Sequence, residues 1–240
     1  MAGEINDAQI HVMDEFSHVN TWIFDLDNTL YTHKAGLWPQ VDDRITLYVC
    51  QLLGLDALSA RALQKYYYHR YGTTLRGLMQ EYGIDPHEFL AFAHDIDYSA
   101  LAADTRLAQA VASLPGRKFI LTNGSRGHAG AVVARLGIEM LFEDTFDIVD
   151  AEFIPKPEAQ TYARFLSQHD VDPSHAAMFE DLSANLNVPY QLGMQTVLVL
   201  PDTPDPFREA HEQAASTEVH IRHQTRDLAA FLNFAINGRF

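Results

Sequence analysis

Only one cysteine, Cys50, occurs among the 240 residues, so no disulfide can close within the chain and no site can be built from several thiolates. In the apolar stretch ITLYVCQLL that thiol reads as a packed side chain rather than a reactive one. Uninterrupted apolar runs of about eighteen residues are also missing, which removes a membrane-spanning helix. Basic residues are scarce: 17 Lys and Arg stand against 32 Asp and Glu, for a formal charge of −15. With no local basic cluster, that balance argues against a nucleic-acid polymer as partner. Internal repeats are lacking. The opening MAGEINDAQIHVMDEF carries acidic residues and no apolar core, so no secretory leader is predicted. The expectation is a cytoplasmic protein without membrane contact, and no obligate protein partner is evident.

What is present suits a soluble globular chain: 47% of residues are hydrophobic and 20% charged, enough for one sizeable domain, or one domain with an insert. Thr21 to Phe24 form a short β-branched and aromatic run that reads as a buried strand. From Tyr31 to Ala103 the pattern becomes helical. Val41, Ile45, Tyr48 and Leu52 recur at helix spacing, and three further helices are predicted through SARALQKYYYHRY, TTLRGLMQEY and PHEFLAFAHDI. Strand and helix signals then alternate. Asp104 caps a helix stopped by Pro115 and Gly116, KFILTN is a strand, HAGAVVARLG a helix, and TFDIVD, AAMFED and TVLVL further strands. Gly137 and Gly193 sit where helix-ending glycines belong. A proline-rich loop through PDTPDPFREAHEQ, an edge strand near VHIRH and a final helix complete the reading.

Apolar strands alternating with helices predict an α/β fold, a largely parallel sheet covered on both faces, with ligands gathering at the carboxyl ends of the strands. The predicted organisation is a noncontiguous core, residues 1–30 and 104–240, interrupted by an all-helical cap at 31–103.

Four clusters stand at predicted strand exits. In WIFDLDNTLY, Asp25 and Asp27 are two apart, so in extended backbone both carboxylates point the same way, and their repulsion calls for a cation. An all-oxygen site of this kind suits Mg2+. Thr122, Asn123 and Gly124 end the second strand, offering a hydroxyl, an amide and backbone N–H groups suited to a phosphoryl oxygen. Lys156 is held between Pro155 and Pro157. Glu180 and Asp181, with Asn185 a turn further on, can add oxygen ligands. Each cluster alone has a bland reading as a turn, a cap or a surface charge. Their shared position at strand exits favours one site.

In that order, FDLDNTLY, LTNG, PKP and FEDLSANL resemble the motifs of the haloacid dehalogenase-like hydrolases, and more closely the capped phosphatases of the pyrimidine 5′-nucleotidase type. The resemblance spans nearly the whole chain. It implies a Rossmann-like three-layer core with sheet order 5-4-1-2-3. It further implies a magnesium-dependent phosphate monoester hydrolase working through an aspartyl-phosphate. Asp25 would be the nucleophile, Asp27 the general acid and then base, and Thr29 a support for the loop. Thr122 and Lys156 would bind the phosphoryl group, assisted by Asn123 and Gly124. Asp25, the carbonyl of Asp27 and Asp181 would hold Mg2+, with Glu180 and Asn185 helping directly or through water. Many relatives carry Asp where this chain has Asn185. The dehalogenase branch lacks the second acid, since a halide leaves without a proton, so Asp27 favours an oxygen leaving group. The implied partner is a small phosphorylated metabolite, a pyrimidine nucleoside 5′-monophosphate first. Phosphoglycolate, sugar phosphates and a noncatalytic phosphate-binding or protein-interaction module are the alternatives. Tyr66, Tyr67, Tyr68, His69, Arg76, His94, Asp97 and Tyr98 of the cap form a pool of candidate substrate selectors, with Tyr66, Tyr67, Arg76, Asp97 and Tyr98 put first.

Overall fold

A computed structural model describes residues 13–206 and 213–237. Six parallel strands form one sheet in the order β3-β2-β1-β4-β5-β6. They are β1 (Thr21–Phe24), β2 (Arg117–Leu121), β3 (Asp144–Phe146), β4 (Ala176–Glu180), β5 (Gln195–Val199) and β6 (His223–Thr225). The five-strand order expected from the motifs is present, and β6 extends it beyond β5. This sixth strand begins where VHIRH ends.

All four residues of β1 are buried, which explains why the strand shows no polar face: helices cover both sides. The two-residue period sorts its side chains. Trp22 and Phe24 join Ile120, Phe179 and Val197 in one apolar cluster. That cluster is covered by α5 (Thr105–Ser113), α6 (Arg126–Leu136) and α9 (Leu228–Asn237). Ile23 faces the opposite side with Phe119, Leu121, Met178 and Leu198, packed on Tyr162 and Phe165 of α7 (Ala159–His169). The short α8 (Asn187–Gln191) follows β4.

The chain enters β2 through Gly116, at φ +78°. A Cβ there would lie 2.1 Å from the Asn20 carbonyl oxygen, so only glycine admits this approach. Asp104 caps α5 as predicted, accepting from Leu107 N–H at 2.9 Å, and Gly137 ends α6 at φ +73°.

Between β1 and α5 lie four helices, α1 (Leu37–Leu53), α2 (Ala57–Tyr71), α3 (Thr74–Tyr82) and α4 (Pro86–Ala93). They enclose an apolar cluster of their own, including Val49, Tyr67, Leu78, Phe89 and Leu90. Tyr31, Leu37 and Leu101 pack with the sheet instead. The fourth helix stops at Ala93, short of the predicted extent through Ile96. No helix among the described residues is long and apolar enough to cross a membrane. The predicted proline-rich loop falls partly on residues 207–212, and the N-terminal reading on 1–12, both outside the described residues.

Candidate active site

Registers Phe24↔Ile120 and Phe24↔Phe179 bring the carboxyl ends of β1, β2 and β4 flush. The Asp25 N–H still donates to the Phe179 carbonyl at 2.9 Å, so the nucleophile candidate is fixed by sheet backbone. Asn28, at φ +61°, then reverses the chain, a conformation asparagine tolerates better than most residues.

Lys156 is the buried hub. Its Nζ donates to Asp25 Oδ1 at 2.7 Å, Glu180 Oε1 at 2.6 Å and the Leu121 carbonyl at 2.7 Å. The three donors of the ammonium are thereby used. Asn123 clasps the backbone of the same residue, its Oδ1 accepting from Lys156 N–H at 2.8 Å and its Nδ2 donating to Lys156 O at 3.2 Å. Asn123 therefore spends its carbonyl and one amide hydrogen on placing the lysine, a positioning use that the phosphate-binding expectation did not contain. Glu180 is wholly buried. Its Oε1 also accepts from Asn185 Nδ2 at 2.7 Å and its Oε2 from Leu182 N–H at 3.0 Å.

Oxygen atoms of Asp25, Glu180 and Asp181 lie within 4.8 Å of one another. Thr122 is buried, and its Oγ1 accepts from Gly124 N–H at 2.9 Å, shaping the loop after β2. Thr29 is buried too, but its hydroxyl has no hydrogen-bond partner among the described residues. The support expected from Thr29 comes from backbone bonds instead, Thr29 N–H and Leu30 N–H both donating to Leu26 O, at 3.3 and 3.0 Å.

Asp27 Oδ1 accepts from His128 Nε2 at 2.8 Å and from the Tyr31 hydroxyl. Burial would raise its pKa, yet the charge and hydrogen bond of His128, with Tyr31, hold it down at about 2. Asp25 goes the other way. Burial pushes it up to about 7, against the pull of Lys156, and Glu180 and Asp27 add to the rise. Lys156 is held above its usual value despite burial, by Asp25 and Glu180.

These groups open into a cavity of about 220 Å3 between the sheet end and the four helices. Asp25, Asp27, Thr122, Lys156, Asp181 and Asn185 line one side; Trp38, Asp42, Gln64, Tyr68, His69 and His94 contribute to the other. The cap selectors put first sit differently. Tyr66 is half exposed outside the cavity. Tyr67 is buried against Gly77, where its ring leaves no room for a Cβ. Arg76 pairs with Glu158 at 3.0 Å, and exposed Asp97 binds Ser99. Tyr98 stands behind the wall, its hydroxyl donating to His94 O at 3.1 Å and lying 2.9 Å from His128 Nδ1. Tyr68, His69 and His94 of the selector pool line the cavity; His128, Trp38 and the buried Asp42–Gln64 pair were not singled out as site residues from the sequence. The one available signal for His128 was its place a single turn after the LTNG segment.

A larger hollow, about 510 Å3, borders residues 28–35 and 199–202. Its cations are engaged, Lys34 with Asp202 and Arg106 with Asp227, and the carboxylate cluster is not part of it.

A family model described as haloacid dehalogenase-like hydrolase matches residues 19–186. Phosphate metabolism protein 8 of Saccharomyces cerevisiae is 27% identical over 197 residues, covering 75% of this chain and 61% of that protein. The chain thus spans about three-fifths of the curated relative it matches. Among solved structures, the HAD-hydrolase YfnB of Bacillus subtilis, bound to magnesium, is similar with TM-score 0.55 at 16% identity, covering 91% of this chain and 99% of that one. A 2-haloacid dehalogenase of Pseudomonas syringae is similar with TM-score 0.54 at 18% identity, covering 90% and 97%.

Proposed function

On the premise that the chain belongs to the haloacid dehalogenase-like hydrolases, we propose that it is a magnesium-dependent phosphate monoester hydrolase acting on pyrimidine nucleoside 5′-monophosphates. The observation that carries the reading is the second carboxylate. Asp27 is fixed in the site by two donors to one oxygen, which leaves its second oxygen toward the loop after β2; a second carboxylate so placed serves an oxygen leaving group and is superfluous for expelling a halide. The name of the yeast relative points toward phosphate chemistry as well.

The donor set fits a hard divalent cation. The carboxylates of Asp25, Glu180 and Asp181 cluster within 4.8 Å while Lys156 pairs with two of them, and an uncompensated surplus of buried negative charge is costly. Asp25, Asp181 and the Asp27 carbonyl would hold Mg2+, with Glu180 and Asn185 behind them. When bound, the ion supplies charge neutralisation for the nucleophile and the ester oxygens.

Asp25 attacks phosphorus, its carboxylate oxygen forming the new bond as the ester oxygen departs, and an aspartyl-phosphate results. Asp27 gives the departing oxygen a proton, then takes one from the water that opens the acyl-phosphate to release inorganic phosphate. Lys156 holds Asp25 in line, and its charge lets two anions approach. Thr122 and the N–H groups around Gly124 receive phosphoryl oxygens. The four-helix insert serves as a cap that keeps bulk water from the reacting centre.

Trp38, Tyr68 and Phe89 give the cavity aromatic walls, suited to a flat ring. Its volume of about 220 Å3 is at the small end for a ligand site, in keeping with a small phosphate ester. A metal-dependent assay over UMP, CMP, purine monophosphates, phosphoglycolate and sugar phosphates tests this. Phosphate release led by UMP or CMP is expected. Preference for a non-nucleotide ester removes the nucleotidase reading, and halide release from a 2-haloacid with no phosphatase activity overturns the whole proposal.

A further inference from the structure

The two oxygens of Asp27 have different surroundings. Oδ1 carries both hydrogen bonds, from His128 Nε2 and the Tyr31 hydroxyl. Oδ2 has no hydrogen-bond partner among the described residues and faces the phosphate loop, 3.7 Å from where a Cβ on Gly124 would stand. One oxygen is an anchor and the other is the working end. The aim of the working end is therefore set by whatever fixes His128.

His128 lies in the first turn of α6, and its backbone N–H donates to the capping Ser125 hydroxyl at 3.3 Å. Its ring is 2% exposed. The ring is clamped by the segment that leaves α4, not by its own helix. His94 stacks on it at 4.5 Å with planes 13° apart, and His94 Nδ1 lies 2.9 Å from Ser125 Oγ. Tyr98 spends its proton on the His94 carbonyl and meets His128 Nδ1 at 2.9 Å. Both faces of this contact are polar side chains with definite partners, an arrangement that fixes rotamers rather than fills space.

From this geometry we infer that His128 is a positioning residue for Asp27, and that His94 and Tyr98, on the segment joining the helical insert back to the sheet domain, hold His128 in register. Seating of that segment and alignment of the acid are one event. The inference rests on the proposed acid/base role of Asp27. In the step concerned, the Asp25 oxygen bonds to phosphorus, the ester P–O bond breaks with its electron pair, and a proton that Asp27 Oδ2 takes up as the anionic ester binds beside it passes to the departing oxygen.

Leaving-group chemistry separates aiming from mere structure. An alkoxide needs its proton in the transition state, whereas p-nitrophenolate leaves nearly unaided. Because kcat/KM covers steps through the first irreversible one, it isolates phosphoryl transfer from hydrolysis of the intermediate. His128→Ala is expected to lower kcat/KM for an alkyl ester such as UMP or glycerol phosphate by about 10- to 100-fold, and for p-nitrophenyl phosphate by less than about 3-fold. His128→Gln, whose amide can replace Nε2, should recover most of the loss. Tyr98→Phe should show the same bias more weakly, about 3- to 10-fold on the alkyl ester. Equal losses on both esters, or no loss in a folded His128→Ala, overturn the positioning role while leaving the phosphatase reading intact. Wild-type protein that hydrolyses neither ester with Mg2+, or an Asp27→Asn variant without leaving-group bias, sinks the acid assignment and the inference with it.

Discussion

Lys156 stands 2.7 Å from Asp25, and both side chains are buried at the floor of the cavity. The lysine thus has two tasks, orienting the Asp25 carboxylate and compensating buried carboxylates at the end of the sheet.

Removing it should damage fold and activity together. Lys156→Met leaves Asp25 and Glu180 buried without their cation, an unpairing that costs about 3–5 kcal/mol in other proteins. Adding Glu180→Gln removes one of the two orphaned charges. The double variant should regain part of the lost stability in urea unfolding, while phosphate release stays down by at least about 100-fold. Simple additivity of the two stability changes would show that the pair is not coupled.

Asp25→Asn and Asp27→Asn should fail at different stages. Neither changes side-chain volume appreciably, so both should fold. The first should give no acid-stable radiolabel on the protein after brief exposure to labelled substrate, with deamidation checked by mass. The second should turn over at least about 100-fold more slowly. Wild-type turnover by Asp27→Asn would dismiss that residue as the acid.

Magnesium should be visible without any substrate. An ion that binds only the folded state raises the melting temperature as its concentration passes Kd, by about 2.7 kcal/mol of stability at a hundredfold excess. Thermal scans with and without Mg2+ should separate for the wild type and converge for Asp181→Asn. An identical upward shift in that variant would place the ion elsewhere.

The His94 ring supplies a pH signature. Burial, with the charge of His128 nearby, pushes its pKa from 6.5 down to about 4, against a smaller upward pull from Asp27. The folded state therefore resists a proton that the unfolded chain accepts. Stability from this residue is complete above about pH 6.5 and is lost as pH falls toward 4, by at most about 3 kcal/mol. His94→Asn should flatten that limb of the urea-midpoint profile. In the wild type, the His94 ring proton shifts in NMR should stay those of a neutral imidazole at pH 5. A titration midpoint near 6.5 would contradict the burial argument.

Much of this was legible in the sequence because each strand carries a local signature. Four buried residues in a row told of a central strand, and Asp104 and Gly137 marked helix ends by their own chemistry. The acidic pair, Thr122, Lys156 and Asp181 were readable since each follows such a strand. The faces of the insert were not readable. Helical spacing shows that Tyr66, Tyr67 and Tyr68 share a helix, but which one meets a second domain depends on packing. In the fold, Tyr67 covers Gly77, and Tyr68 lines the cavity. The end of α4 was overshot because His94 leaves helical geometry to stack on a ring 34 positions away in sequence. The strand His223–Thr225 is short, polar and at the sheet's edge, where alternation is faint. The clasp of Asn123 on the Lys156 backbone was not readable either, since it joins loops 33 positions apart in the chain.

The central strand is bordered by segments that arrive late: Thr21 aligns with Arg117 on one side and with Ala176 on the other. A growing or truncated polypeptide that has not yet inserted Ala176–Glu180 beside Thr21–Phe24 has no partner for Lys156 at Glu180 and no Glu180 and Asp181 carboxylates beside Asp25. Such a species should be chemically silent rather than partly competent. Hydrolytic capacity then serves as a switch-like reporter of completed threading, appearing in a single step as the non-local pairing closes.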